Sequence, residues 1–254
     1  SISIKTAREI EKMRRAGELL EKVHDELGRA IHPGMSTWEI NKLGEEMIRS
    51  FGCTPNFLNY NGYPASICVS VNEEVVHGIP SKKRILKEGD IVSLDAGLIY
   101  KGYHSDAART HAVGKVSTEA QKLMDVTKQS FFEGIKMAKE GQHLHDISRA
   151  IEEYVTPYGY GIVRDLVGHG IIGDKAAGPV VLAYLVDAVH FFQAEERIQA
   201  QIGVSRIPAP VFGPEAVHCR RLVALCLEVV GQSEHRFGYM LLVGLLPLGR
   251  NETE

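Results

Sequence analysis

The feature that most constrains this chain is the run IVSLDAGLIYKGYHSDAARTHAV at residues 91–113, where two strand-forming stretches flank a two-residue turn and carry one aspartate each. A tight turn on Lys101-Gly102 pairs Tyr100 with Tyr103 and so predicts a β-hairpin in which Asp95 faces Ala108. Because alternate residues share a face, Asp106 falls on the same face as Asp95, diagonal to it at roughly 7–8 Å between backbones. Val92, Leu94 and Leu98 fall on the opposite face, which makes that face the buried one. Two carboxylates aimed at one place repel each other, so the pair is stable when it shares a proton or holds a cation. A divalent metal is the simpler solution. The plain alternative, an accidental pairing of surface aspartates, has to be weighed against the rest of the chain.

The rest of the chain supplies helices and loops. Thr6-Ala7-Arg8-Glu9 is a capping box that opens a long helix with Ile10, Met13, Ala16, Leu19, Leu20 and Val23 on one side. A second helix starts at Ser36 or Thr37 and turns Ile40, Leu43 and Met47 inward, ending by Phe51-Gly52. Residues 54–62 read as a loop, and 65–71 as a strand running towards His77 and stopped by Pro80. Residues 117–139 and 144–154 read as a further pair of helices. That pair echoes the first: GMSTWEINKLGEEM and GQHLHDISRAIEEY align without a gap at an offset of 107 residues, Gly34 on Gly141. An internally duplicated α+β domain follows, with helices packed outside one antiparallel sheet and a site between the halves.

Bulk properties exclude little. A chain of 254 residues forms one large domain or two small ones, and nothing in it forces two. The net charge of −3 provides no basic face of the kind that argues for nucleic acid. There is no run of 18 apolar residues to cross a membrane, so the expected setting is cytoplasmic. Cys53, Cys68, Cys219 and Cys226 form no CxxC pair and are read as free thiols. Further along, Gly168-His169-Gly170 leaves an imidazole unobstructed between two glycines, which suits a metal ligand, although a turn histidine would look the same.

Three stretches together, SVNEEVVHGIP, GDIVSLDAGLIYKGYHSDAART and VRDLVGHGI, resemble the motifs of the type I methionine aminopeptidases, and the likeness covers residues 1–171 in unbroken order. The resemblance implies a duplicated "pita-bread" fold, a single domain over residues 1–254, a pair of divalent metals (Co²⁺, Mn²⁺, Fe²⁺ or Zn²⁺), and removal of the initiator methionine. It further implies that Asp95 chelates one metal, that Asp106 bridges both and that His169 binds the other. By the same likeness His77 contacts the scissile region as a catalytic residue. Tyr60, Tyr63, Phe57 and Cys68 would line the methionine pocket, where soft sulfur contacts suit the substrate. The implied partner is the N-terminal peptide of a nascent protein at the ribosome, met by a monomer with no nucleic acid or membrane bound.

Beyond Ile171 the sequence departs from that family's pattern. A second histidine is expected in a His-Glu-x-Pro motif, and Ala176 or Ala177 stands in its place. A glutamate ligand is expected where Gln201-Ile202-Gly203 stands. Gln232-Ser233-Glu234-His235 resembles the family's last ligand motif and makes Glu234 a candidate metal ligand. Composition shifts too: Lys175 is the only lysine from residue 171 onward, against 13 before it. A change of reading frame near Ile171-Ile172 accounts for both changes at once, and residues 172–254 are atypical on either reading. Two other functions stay open: a noncatalytic pita-bread protein that binds peptides or partners through the cleft, and a relative that cleaves before proline.

Overall fold

The computed structural model describes residues 5–162. Its elements run α1 (Ala7–Ala30), α2 (Thr37–Ser50), β1 (Thr54–Pro55), β2 (Ile67–Val71), β3 (Ile91–Tyr100), β4 (Tyr103–Ala112), α3 (Thr118–Ile135) and α4 (Leu144–Val155). Strand β3 is the axis of the sheet. It pairs antiparallel with β4 along its whole length and with β2 and β1 in succession along the other edge.

The hairpin has the register read from its turn: Tyr100 pairs with Tyr103, Asp95 with Ala108 and Gly97 with Asp106. Lys101 and Gly102 both take positive φ, 48° and 84°, the conformation that matches the twist of a two-residue hairpin. One face of the sheet presents Val92, Leu94, Ala96 and Leu98 of β3 with Ile67, Val69 and Val71 of β2, all 2 % exposed or less. Helices α1 and α2 cover this face. Ala16, Leu20, Val23 and Leu27 of α1 and Ile40 and Ile48 of α2 complete its core.

Both helices of this pair start as expected. Thr6 with Glu9 and Ser36 with Glu39 form reciprocal capping boxes. The second pair repeats the first: α2 begins at Thr37 and α4 at Leu144, an offset of 107 residues, each behind a capping box (Ser36 with Glu39, His143 with Asp146). Gly34 and Gly141, also 107 apart, turn the chain at φ of 92° and 85°. Helices α3 and α4 pack on each other, and Leu123, Val126 and Val155 meet the sheet at Ile91.

Three boundaries differ from expectation. Strand β2 starts at Ile67, because the Asn41 side chain takes up the Ser66 and Ile67 amides at 2.8 and 3.0 Å. It ends at Val71 as expected, because Asn72 takes positive φ (55°) and spends its side chain on the Ile91 amide and on Asp90. Segment 54–62, read as a loop, includes the two-residue strand β1 and a 3₁₀ turn at Tyr60–Gly62. Helix α3 stops at Ile135, four residues short of Lys139.

One buried polar contact ties α1 to the hairpin. His24 is fully buried, and its Nε2 donates to the Ala107 carbonyl at 2.8 Å, while its Nδ1 has no partner among the described residues. Burial holds this imidazole down to about 3 from the ordinary 6.5, with the positive charge of Arg109 beside it adding to the effect. A histidine neutral when folded and protonated when unfolded contributes stability that is lost as pH falls below about 6.5. At pH 5 the expected loss is about 2 kcal/mol relative to pH 7. Urea unfolding at the two pH values should show it in the parent and much less of it in His24→Gln, whose amide can still donate to Ala107. An identical pH dependence in the variant would assign the loss to other groups.

Candidate active site

The face of the sheet opposite α1 and α2 is polar, and its centre is the aspartate pair. Register puts Asp95 and Asp106 on this one face, Asp106 across from Gly97 and Asp95 across from Cys68 on the neighbouring strand β2. Both aspartates are half-buried. Ser93 and Thr110 continue the face, their hydroxyls 2.5 Å apart.

The electrostatics of Cys68 and Tyr63 report the same convergence. Burial pushes the Cys68 thiol well up from its ordinary value, and the negative charges of Asp95 and Asp106 push it further. Burial likewise raises the Tyr63 phenol, with Cys68 and Asp95 adding to it. Both groups are therefore neutral beside the carboxylates. Tyr63 is fixed by its hydroxyl, which donates to the Gly78 carbonyl at 2.9 Å.

Gly78 anchors the segment that carries His77. Its carbonyl accepts from Val69 and its amide donates to the Ser70 hydroxyl, so the segment lies along β2. His77 is exposed and has positive φ (59°), uncommon for a residue other than glycine, in the segment that Gly78 ties to β2. Phe57 and Asn56 close over Gly97. A Cβ there would stand 2.8 Å from the Asn56 amide nitrogen and 3.1 Å from the Phe57 ring, so only glycine allows so close an approach next to Asp106. Tyr60, at the start of the 3₁₀ turn, is 60 % exposed.

Of the residues expected from sequence, Asp95, Asp106, Cys68 and Tyr63 are thus brought together, with Phe57 against Gly97, and His77 precedes the Gly78 that bonds to β2. His169 and Glu234 lie outside the described residues. Among the described residues no third histidine, cysteine or acid joins the two aspartates in a metal-binding group. Sequence reading passed over Asn56, which matters only because the fold brings it to Gly97 and to the Ser105 carbonyl at 3.3 Å. It also passed over His104, which register places two residues from Asp106 on the same face and whose imidazole burial holds below its ordinary value. The alternation from Asp106 could have found it.

A sheet with an acidic pair on its open face and helices behind it is the framework of a metallohydrolase, and the chain belongs to metallopeptidase family M24, whose profile matches residues 11–190. Family membership brings with it dependence on divalent metal and the pita-bread fold. More narrowly, the chain falls with the type I methionine aminopeptidases. The methionine aminopeptidase of Clostridium acetobutylicum is 51 % identical over 183 residues, 72 % of this chain and 73 % of the relative. Among solved structures, the methionine aminopeptidase of Rickettsia prowazekii superimposes with a TM-score of 0.68 at 37 % identity, covering 74 % of this chain and 75 % of the other. That of Thermotoga maritima does so at 0.66 with 41 % identity, covering 72 % and 78 %.

Proposed function

We propose that this chain is built to remove the N-terminal methionine from new polypeptides in the cytoplasm, with two divalent ions held by Asp95, Asp106, His169 and Glu234. The observation that carries this reading is the convergence of Asp95 and Asp106 on one face, beside a thiol and a phenol that stay neutral. Carboxylate oxygens suit a divalent cation, and Cys68 and Tyr63, kept uncharged, offer it no competing anionic ligand. Bound there, the metal would supply a Lewis acid and an activated water at neutral pH.

The protein's own groups supply recognition. Phe57, Tyr60, Tyr63 and Cys68 form a soft, largely apolar wall on the aspartate side of the sheet, matched to a thioether side chain. His77 reaches the scissile peptide from its strained turn.

Calorimetric titration with Mn²⁺ tests the metal part. Asp106→Asn keeps the shape of the side chain but removes its charge, and is expected to weaken binding at least about tenfold, in line with the cost of disturbing a metal's surroundings. Equal affinity in parent and variant would remove Asp106 from the site.

A further inference from the structure

We propose that loop 81–87, together with Trp38 at the start of α2, is a docking surface for unpaired RNA. The loop reads Ser-Lys-Lys-Arg-Ile-Leu-Lys. Several basic side chains elsewhere are neutralised by their neighbours: Arg14 pairs with Glu11, Arg15 with Glu18, Arg29 with Glu26, Lys42 with Glu46, Arg49 with Glu45 and Lys136 with Glu133. Lys82, Lys83, Arg84 and Lys87 lie within six residues of one another, and none of them makes an ion pair with a carboxylate among the described residues. The nearest acids in sequence are turned elsewhere. Glu88 accepts from the Lys115 amide at 2.5 Å, and Asp90 accepts from the Lys87 amide and the Asn72 side chain, both at 2.8 Å. Four positive charges therefore stand together on a chain whose net charge is −3, and it is local density rather than net charge that attracts phosphates.

The loop is held rather than loose. The Arg84 carbonyl accepts from the Thr37 amide at 2.9 Å, and Leu86 exchanges two bonds of 2.8 Å with Gly34 and Met35. Ser81 exchanges two more with the Thr37 hydroxyl. These bonds fix the cations against the start of α2, where Trp38 is 36 % exposed with the Lys82 ammonium 6.0 Å from its ring centre and Ile85 is 41 % exposed in the loop. A part-exposed ring with one cation over it and further cations in the adjoining loop is the combination that stacks a free base while holding its phosphates. The occupant is unpaired RNA because the surface is a loop with one aromatic ring rather than, among the described residues, a projecting helix or ribbon that could enter a duplex groove, and sequence-specific RNA recognition works chiefly through unpaired bases stacked on aromatic side chains.

Trp38 is the only tryptophan in the chain, so its emission reports on this surface alone. The full chain is titrated with a fluorescein-labelled, uridine-rich 20-mer RNA, reading both anisotropy and Trp38 emission. The expected result is saturable binding that quenches Trp38, with log K falling against log salt at a slope of about −3, roughly 0.7 for each of four phosphate contacts. Lys82→Glu with Lys83→Glu, both exposed positions whose change far-UV dichroism can show to be harmless to the fold, should weaken binding at least about tenfold and flatten the slope. Trp38→Leu should lose about fivefold to 150-fold while keeping the slope. Unchanged affinity in the double variant, saturation without a change in Trp38 emission, or equal affinity for duplex DNA or for phosphatidylserine vesicles would each overturn the proposal. No turnover is measured, so the outcome is independent of methionine release.

Discussion

Release of methionine from a Met-Ala-Ser peptide by this chain is expected to run below about 1 s⁻¹, even with excess Co²⁺ or Mn²⁺. The chain's membership and its hairpin argue for the reaction, while residues 172–254 argue against its full rate. In the family pattern a second histidine contacts the reacting peptide, and here Ala176 or Ala177 stands in its place. A glutamate is expected near Ile202, where it would hold metal and help pass the proton from water to the leaving amine. Acid–base assistance of that kind is worth about 10²- to 10⁴-fold, and a site short of carboxylate holds its metal with less charge. In the role proposed for it, Glu234 would restore one ligand but not the one near Ile202. The assay uses Asp106→Asn as its blank, and turnover above about 1 s⁻¹ in the parent would show that the C-terminal residues rebuild the site by another route. A second observation bears on the cause. Reading the coding DNA in all three frames across codons 168–180 should recover a His-Glu-x-Pro motif in another frame, and its absence there would leave divergence as the explanation.

The hairpin was legible because its register depends on local chemistry. Lys101-Gly102 selects the turn, the turn selects the pairing, and a period of two then decides which side chains share a face with Asp95. Capping boxes at Thr6 and Ser36 made the helix starts equally readable, since both halves of each box lie within four residues. What sequence could not show depends on partners distant along the chain. Asn41 sets where β2 begins from 25 residues away, and Asn56 and Phe57 sit over Gly97 from about 40 away. His24 has no local partner that would mark it as buried, yet Ala107 gives it a buried acceptor 83 residues on. The basic loop was hidden for a different reason. Net charge sums over the chain, and whether a lysine is neutralised depends on which carboxylates the fold turns towards it.

Leu94→Ala and Asp95→Asn should have opposite consequences although the two residues are neighbours. Leu94 points into the core under α1 with no exposed area, packed with Leu98, Val69 and the leucines of α1. Removing three of its carbons leaves a cavity among side chains held by a sheet and two helices, at an expected cost of about 2–5 kcal/mol in unfolding free energy. Asp95 points the other way, across from Cys68 and on the face shared with Asp106. Its charge contributes no packing, and without metal it opposes the neighbouring carboxylate and lifts the Cys68 thiol. Metal-free Asp95→Asn should therefore unfold within about 1 kcal/mol of the parent or at higher urea, while its Mn²⁺ affinity falls at least about tenfold. Leu94→Ala, measured at a temperature where it is still folded, should bind Mn²⁺ as the parent does. Urea unfolding and calorimetry on both variants separate the two faces of the strand. A large loss of stability in metal-free Asp95→Asn would mean that this carboxylate holds the fold rather than a metal, and the assignment of the polar face as the site would fall with it.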